Sequence, residues 1–338
     1  VYTDNYPLDQ GKISLMEDGV LIAPAPYTAS SAYYFPTTGR LAGVEVLKGP
    51  AAIEYGPYTV GGAINLISTP IPAEMSGEVT AEAGEDETYR LHASYGGSTE
   101  NWGFLLEGHT HSSDGFSNID NSNNNTGFQK DDLIAKLRYN SSPSVGVYQQ
   151  LELKLQYSEE ESRQTYVGLT ESDFGGSPYR RYGLSREDVM DNEHKSATLT
   201  HVAEFTDTIS LTTTAYYNEF QRNWYKTDKI DGEGIDEVIT CANGGGCDGM
   251  SSNYGEYNPA FANAVLSGSA QADVYVKNNN REYESQGIQT RLAAAFNSGD
   301  WDHELGFGAR YHEDEEGRNQ PVDLYLQGTD GSFDLVDP

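Results

Sequence analysis

Basic residues are scarce in this sequence of 338 residues, and their scarcity excludes one large class of function. Lysine and arginine together number 21, against 52 aspartates and glutamates, so the formal net charge is −31. A chain this acidic is repelled by the phosphate backbone of DNA or RNA. We therefore expect no nucleic-acid partner.

Long hydrophobic runs are also missing. No stretch approaches the ~18 consecutive apolar residues that a transmembrane helix requires. A membrane-spanning barrel is not excluded by this absence, because its strands alternate apolar and polar residues and look hydrophilic on average. Intrinsic disorder is disfavoured, since aromatic residues make up 11% of the chain and recur in regular blocks.

Cysteine is nearly absent, and its two examples, Cys241 and Cys247, lie in the segment CANGGGC. Their spacing in a long polar loop, rather than a packed core, predicts a small disulfide-closed loop in an oxidising compartment. Two free thiols are the alternative. Two cysteines without a nearby histidine are too few for a structural zinc site, so we expect no metal site.

Enzyme motifs are missing as well. The sequence has no G-x-S-x-G, no H-E-x-x-H and no P-loop. The run Gly244–Gly246 lacks the lysine and hydroxyl residue that a phosphate-binding loop needs. We expect no enzymatic activity and no cofactor.

From Met75 onward the chain consists of long segments that alternate with a period of two, as β-strands do. In the clearest segment, Leu151, Leu153 and Leu155 alternate with Glu152 and Lys154. Nine strands are predicted in this way. They cover residues 75–83, 88–95, 102–111, 128–140, 148–159, 193–205, 208–222, 281–297 and 301–313.

The connections between these strands alternate in length. Short turns follow the even-numbered strands, and long connections follow the odd-numbered strands after the first. A soluble sandwich has no reason to collect its long loops at one end, whereas an outer-membrane barrel has short periplasmic turns and long extracellular loops. Aromatic residues near the strand ends fit the girdles of such a barrel, or alternatively the ordinary preference of tyrosine for strands. They are Tyr89, Tyr95, Trp102, Tyr139, Tyr148, Tyr157, Tyr216, Tyr217, Trp301 and Tyr311.

Residues 1–74 have a different residue pattern, with many turn-forming residues and short β-prone runs. Val44, Val46 and Leu47 predict a short buried strand, and residues 64–67 predict a second strand that returns beside it. Glycines and a proline between the two strands predict tight turns. The residues of this turn-rich motif are Gly49, Pro50, Tyr55, Gly56, Gly61, Gly62 and Asn65.

The segment Arg40–Ser68, RLAGVEVLKGPAAIEYGPYTVGGAINLIS, closely resembles the second half of the plug domain of TonB-dependent outer-membrane receptors. The shared skeleton is V-E-V-L-K-G-P, then Y-G, then G-G-A-I-N-L-I, and Asp18-Gly19-Val20 fits an earlier turn of the plug. The resemblance implies part of a small α+β plug domain at residues 1–74. It also implies an all-β outer-membrane barrel at residues 75–338, with about nine of an expected 22 antiparallel strands.

Both ends of the sequence look like cuts through a longer reading frame. We therefore expect a fragment that lacks the N-terminal part of the plug and the C-terminal barrel strands. The resemblance implies an integral protein of the bacterial outer membrane, in contact with its lipid and lipopolysaccharide. It also implies that the inner-membrane TonB complex drives the receptor through a TonB box, which we expect upstream of Val1.

Three segments resemble the ferric-citrate branch of this family: Val167–His194, Asn279–Gln289 and the strand ending HELGFGARYHEDEE, His303–Glu316. This resemblance implies uptake of a ferric chelate, such as a siderophore or citrate complex, with the transported chelate as the ligand. Uptake of another chelate or of cobalamin is an alternative. A surface β-domain for adhesion or polysaccharide binding is an alternative from a different class.

Two adjacent arginines flanked by tyrosines are unusual in so acidic a chain. Guanidinium groups bind carboxylates bidentately, and a ferric citrate complex is rich in carboxylates. The alternative is a loop that packs on its own aromatic residues, with arginines paired to Asp173 or Glu187. The candidate substrate-binding residues are Arg163, Tyr166, Tyr179, Arg180, Arg181, Tyr182 and Arg186.

Two kinds of polar cluster could bind cations. His92, Glu107, His109 and His111 face one side of two predicted strands, where they could bind a transition metal or simply line a polar lumen that contacts the plug. Acidic clusters on the long-loop side could bridge to lipopolysaccharide through divalent cations, or form a solvated rim. These clusters lie at residues 85–87, 159–161 and 313–316.

Overall fold

The computed structural model describes residues 13–27, 33–49, 52, 55–56, 59–142 and 146–337. Pro50 of the turn-rich motif lies outside these described residues. The described chain is mostly β-structure in two main sheets, a small one near the N-terminus and a large one that follows it. In this part of the chain no helix is long and apolar enough to cross a membrane.

The small sheet has four strands in the spatial order β2-β1-β4-β3. They are β1 (Ile13–Glu17), β2 (Val20–Leu21), β3 (Leu41–Leu47) and β4 (Gly62–Ser68). Asp18 and Gly19 form the turn between β1 and β2, with φ values of 49° and 78°. The side chain of Asn65 ties this turn to the sheet, because its Oδ1 accepts from the Gly19 amide at 2.9 Å and its Nδ2 donates to Glu45 at 2.9 Å.

Gly62 begins β4 at a position that requires glycine. Its φ is +120°, and a Cβ atom would lie 2.6 Å from the carbonyl oxygen of Leu47 on β3. Gly49 and Gly56 also have positive φ values, 81° and 119°. A larger residue at Gly62 would push β3 and β4 apart.

The expectation that Val44 and Val46 are buried is wrong, because each is 58% exposed. β3 is an edge strand of the small sheet, and no described part of the chain covers these two side chains. A run of apolar residues predicts a strand but does not tell which of its faces is covered.

Fourteen further strands follow in the described residues. They are β5 (Ser76–Ala83), β6 (Tyr89–Ser98), β7 (Trp102–Ser113), β8 (Asn118–Ile119), β9 (Phe128–Asn140), β10 (Tyr148–Ser162), β11 (Arg180–Arg181), β12 (Val189–Thr206), β13 (Ile209–Ile230), β14 (Glu233–Gly234), β15 (Ala272–Ser298), β16 (Trp301–Asn319), β17 (Val322–Gln327) and β18 (Phe333–Asp337). Nine long strands, namely β5, β6, β7, β9, β10, β12, β13, β15 and β16, pair antiparallel in chain order and are called the wall below. The predicted all-β architecture with nine long antiparallel strands is confirmed.

The two faces of the wall differ as the period-two pattern predicts. Leu155 on β10 is 47% exposed, whereas its neighbour Lys154 is 6% exposed and contacts the small sheet. Leu153 lies directly opposite Leu137 of β9 and Leu199 of β12, so leucines from three strands form an apolar band. The wall therefore has an apolar outer face and a polar inner face that carries the small sheet.

The predicted alternation of connection lengths is also present. Short turns lie at one end of the wall, at residues 99–101, 207–208 and 299–300, and long connections lie at the other, at 114–127, 163–188 and 231–271. The short connection from β9 to β10 is described only in part. The strands are longer than predicted, since β13 extends to Ile230 and β15 begins at Ala272. In the extension of β15, the buried Ala272, Val274 and Val276 alternate with half-buried Asp273, Tyr275 and Lys277.

The long connections share a hydrophobic core of their own. They contain α1 (Glu171–Gly176), α2 (Ile235–Ala242) and α3 (Pro259–Leu266). Val238 and Cys241 of α2 pack in this core with Val265 of α3 and Tyr182, and all four are fully buried. A disulfide joins Cys241 to Cys247.

The expectation of a polar loop around both cysteines is therefore wrong for Cys241. The segment IDEVITCA forms an amphipathic helix whose buried residues are Ile235, Val238, Cys241 and Ala242. A single eight-residue helix places too few apolar residues in a row to be distinguished from loop by its pattern.

Leu153→Arg should destabilise the wall by about 2–4 kcal/mol, because the substitution places a guanidinium in the apolar outer band at mid-depth. The measurement is unfolding by urea of the full-length protein in lipid vesicles, followed by heat-modifiable gel migration. Glu159→Arg is the control, since Glu159 is on the same strand and face but beyond the leucine band, and it should change stability little. Equal stability of Leu153→Arg and the parent would contradict the assignment of the outer face.

Maleimide reagents should label neither Cys241 nor Cys247 on intact cells until a reductant is added, because the two sulfur atoms are bonded. Peptide mapping by mass spectrometry measures the label at each residue. Cys241→Ser is the positive control, since it leaves the partly buried Cys247 as a free thiol. Strong labelling of both parent residues without reductant would refute the disulfide.

Candidate functional site

A buried ionic cluster holds the small sheet on the inner face of the wall. It consists of Glu17, Asp18, Arg40, Asp132 and Lys154. Arg40 donates to both carboxylate oxygens of Glu17, at 3.0 and 3.1 Å, and through Nε to Asp132 of β9 at 3.3 Å. Lys154 of β10 donates to Glu17 at 3.1 Å and to Asp18 at 2.6 Å. Glu17 and Arg40 are only 3% and 2% exposed.

The positive charges in this cluster favour the ionised carboxylates of Glu17 and Asp18. Burial alone raises the pKa of Glu17, but the positive charges of Lys154 and Arg40 outweigh it and hold that pKa well below its usual range. Burial also raises the pKa of Asp18, and Lys154 and Lys136 reverse the effect, so that the pKa is lowered. Removing one partner from such a cluster leaves an uncompensated buried charge and costs about 3–5 kcal/mol.

Further contacts connect the small sheet to the wall. Lys136 of β9 donates to the Ser68 hydroxyl and to the backbone carbonyl of Thr69, each at 2.7 Å. The ring of Tyr34 stacks on His194 of β12 with a centroid separation of 3.7 Å. The small sheet is therefore attached through β9, β10 and β12, and its position on the wall is fixed at several points.

The histidine-rich cluster lines the same contact. His92 bonds Glu107 at 2.7 Å, and Glu107 accepts from Thr69 at 2.8 Å. Gly39 lies against His109, where a Cβ atom would approach Nε2 to 2.4 Å. In the described part of the chain no group of histidine, cysteine and acidic residues could hold a metal ion. Glu107 thus contacts the residue that follows β4, and His109 contacts the segment that precedes β3.

Three of the predicted ligand residues stabilise the long connections instead of facing an open site. Arg180 donates to Asp120 at 2.7 Å and lies 3.1 Å from Asp173. Tyr182 is fully buried and donates to Asp173 at 2.6 Å. Arg186 donates to two backbone carbonyl groups, at 2.7 and 2.9 Å. The arginine–aspartate pairing is the packing alternative that the sequence left open.

Arg163 and Arg181 lie beside an open cleft of about 350 Å³, which Phe116 and Phe128 also line. Arg163 has a long ion pair of 3.8 Å with Glu161. Arg181 donates to two backbone carbonyl groups, at 3.0 and 2.6 Å. The cleft combines two guanidinium groups with aromatic surface and with the carboxylate of Glu160, which pairs with Lys130 at 3.3 Å. The two guanidinium groups could bind an anionic ligand with flat or apolar parts.

The two remaining predicted residues have different surroundings. Tyr179 is 61% exposed and packs edge-on against Phe116, with ring centroids 5.7 Å apart. Tyr166 is 44% exposed and contacts the wall, where Lys226 lies 3.2 Å from its ring centroid. The seven predicted residues thus fall into an open cleft, a packed loop and a wall contact.

Sequence reasoning missed the ionic cluster and the cleft-lining Phe116. A signal for Lys154 was present, because a lysine among alternating leucines must face the polar side of its strand. Nothing in the sequence linked Lys154 to Glu17, which is 137 residues away. Phe116 lies in a polar stretch, DGFSN, that carries no periodic pattern.

Comparison with known proteins gives related sequences and related structures. No family model matches the chain. The vitamin B12 transporter BtuB of Photobacterium profundum is 30% identical over 152 residues, which is 44% of this chain and 24% of that protein. The chain therefore spans about a quarter of the length of this relative.

The similar structures are transporters and receptors, not enzymes. The unliganded ferric citrate transporter FecA has a TM-score of 0.65 at 18% identity, over 98% of this chain and 42% of that one. The ferric-catecholate import receptor Fiu of E. coli K12 has a TM-score of 0.64 at 13% identity, over 93% and 49%. The siderophore receptor PiuA of Acinetobacter baumannii has a TM-score of 0.61 at 15% identity, over 94% and 39%. The chain spans less than half of each, and it has the fold of the TonB-dependent receptors.

Proposed function

We propose that this chain is part of a TonB-dependent outer-membrane transporter that takes up a ferric chelate into the periplasm. Residues 1–74 belong to its plug domain and residues 75–338 to its barrel. The ionic cluster between Glu17, Arg40 and Lys154 carries this proposal, because it docks a separate small sheet on the inner face of a membrane-type wall. A surface domain for adhesion or polysaccharide binding has no need of such a sheet.

A docked plug must be released for transport, and the nature of the contact suits release. Buried ion pairs gain little net stability over apolar packing, because desolvation offsets much of their attraction. They hold a defined position yet can be exchanged for water when the plug is pulled. The inner-membrane TonB complex, acting through a TonB box upstream, would supply this force. The apolar outer band would contact lipid, and the acidic rim would meet lipopolysaccharide.

The cleft beside Arg163 and Arg181 supports an anionic, carboxylate-rich chelate such as a ferric citrate complex as the substrate. Charge-assisted hydrogen bonds from guanidinium to carboxylate are worth roughly 1.5–3 kcal/mol each. The aromatic rings of Phe116 and Tyr179 would cover apolar parts of the ligand. The resemblance in fold to the ferric citrate transporter FecA is consistent with this substrate.

Cobalamin is a second candidate substrate. The vitamin B12 transporter of Photobacterium profundum is a related sequence at 30% identity, over 44% of this chain. The two candidates differ in charge, because ferric citrate is an anion and needs the arginines of the cleft. Cobalamin would depend more on the aromatic surface.

The double variant Arg163→Ala/Arg181→Ala should weaken binding of ferric citrate by about two orders of magnitude, since two charge-assisted contacts are lost. Equilibrium binding of radiolabelled ferric citrate to outer-membrane vesicles that contain the full-length receptor is the measurement. Lysine at both positions should give an intermediate affinity, because it keeps the charge but loses the bidentate geometry.

The matched control is Arg90→Ala, because Arg90 is exposed and paired with Glu82 at 2.7 Å on the wall. It should bind like the parent. Normal binding by the double variant would remove the cleft from the substrate path. Binding of cobalamin but not ferric citrate by the parent would favour the second candidate.

Attachment of the plug should persist from neutral pH down to about pH 4 and be lost only in stronger acid. The folded-state pKa of Glu17 is depressed, so the stability that it contributes is present above its unfolded pKa and disappears as pH falls through the folded value. Accessibility of an engineered cysteine at Ser68 to a maleimide reports the attachment. Glu17→Gln should expose this cysteine already at neutral pH, and protection like that of the parent would contradict the role of the cluster.

A further inference from the structure

Asp188, at the end of the connection between β10 and β12, is a buried carboxylate that belongs to neither the ionic cluster nor the cleft. It is only 2% exposed, and in the described part of the chain no basic side chain lies within ion-pair distance of it. A carboxylate buried without a cation is costly, so hydrogen bonds must compensate for the water that it loses. Its partners therefore show what this residue is needed for.

Both oxygens of the Asp188 carboxylate accept from backbone N–H groups. Oδ2 accepts from the amide of Tyr166 at 2.7 Å, and Oδ1 accepts from the amide of Thr227 on β13 at 2.7 Å. The hydroxyl of Thr227 donates to Oδ1 at 3.2 Å and to the carbonyl of Leu184 at 2.7 Å. Asp188 therefore joins both ends of the connection at 163–188 to one position on the wall.

Ser185 adds a second closure beside the first. Its Oγ accepts from the amide of Val167 at 3.2 Å, and its carbonyl accepts from the amide of Asp188 at 3.1 Å. Val167 is only 2% exposed, and Ser185 is fully buried. Water can hardly compete for these hydrogen bonds, so they hold the two ends of the connection in one geometry.

The segment fixed in this way forms part of the cleft, because residues 163–165 line its opening. The amide of Arg163, at one end of the segment, donates to the carbonyl of Gly127 at 2.9 Å. The amide of Tyr166, at the other end, donates to Asp188. Loss of the Asp188 carboxylate would release the second end and leave the first in place.

We propose that Asp188 is a positioning residue of the cleft, which holds the segment at 163–166 in the geometry that binds an anionic chelate. This inference rests on the proposed uptake function and gives Asp188 no contact with the ligand. A segment that is ordered beforehand loses less conformational entropy on binding, so the affinity is higher. Asparagine cannot replace Asp188, because it has one acceptor oxygen and its NH2 group would face one of the two N–H donors.

The test combines binding of radiolabelled ferric citrate with a nitroxide spin label at Gln164→Cys in the ligand-free, full-length receptor. Asp188→Asn should make this label more mobile in the electron paramagnetic resonance spectrum. In the unlabelled receptor it should weaken binding of ferric citrate about tenfold. Asp191→Asn is the matched control, because Asp191 is an exposed aspartate on β12, and it should change neither measurement. A label at Asp236→Cys on α2 should keep its mobility in every variant.

A double-mutant cycle with Arg163→Ala separates positioning from a general structural role. If Asp188 acts through the segment that carries Arg163, adding Asp188→Asn to Arg163→Ala should weaken binding little further. Losses that multiply would mean that Asp188 acts elsewhere, and they would overturn the inference.

The label distinguishes failure of this inference from failure of the proposed function. If the parent binds no ferric citrate, the proposed substrate fails, and the label at Gln164 decides alone. Greater mobility in Asp188→Asn then supports the positioning role, and unchanged mobility overturns it. If the parent binds ferric citrate and an assembled Asp188→Asn receptor binds it equally well, the positioning role is wrong and the uptake function stands.

Thr227→Val keeps the inference testable if Asp188→Asn does not assemble, because this variant removes only the hydroxyl contacts with Asp188 and Leu184. A more mobile label at Gln164 together with weaker binding supports the positioning role. Unchanged mobility and affinity overturn it. If neither variant assembles, Asp188 serves only to stabilise the fold, and the inference is overturned as well.

Discussion

The carboxylate of Glu17, held between Arg40 and Lys154, is the interaction on which the rest of this architecture depends. It joins the end of β1 to the wall at the place where the chain turns back into β2. Each of these three charges would be costly to bury alone, because a single ion loses its hydration without compensation. The polar inner face of the wall and the small sheet therefore compensate each other's buried charges. Without the sheet, Lys154 and Asp132 would need water, and without the wall, Glu17 and Arg40 would.

The wall could be predicted from the sequence because a single physical rule governs it along its whole length. One face of the wall is apolar and the other carries the polar small sheet, so Leu151, Leu153 and Leu155 alternate with Glu152 and Lys154. The rule fails beyond the apolar band of the outer face. Beyond that level, β13 continues to Ile230 and α2 packs on a core of its own, and neither follows the alternation. The exposure of Val44 and Val46 was missed for a related reason, since apolar composition does not say what covers a strand.

The candidate site was only partly predictable, because it depends on pairings between distant residues. Sequence analysis treated the neighbours Arg180 and Arg181 alike, as candidate substrate-binding residues. The structure distinguishes them through Asp120, which lies 60 residues before Arg180 and pairs with it at 2.7 Å.

The short parallel pairing of β8 with β11 has a consequence for how the cleft would bind a ligand. It connects the loop that carries Phe116 to the loop that carries Arg181, through Asn118 opposite Arg180 and Ile119 opposite Arg181. Two loops that are already hydrogen-bonded to each other lose little conformational entropy when they close on a ligand. Side chains and loops that must be ordered on binding each subtract from affinity. The pairing therefore makes the opening a rigid rim, whose shape is set before any ligand arrives.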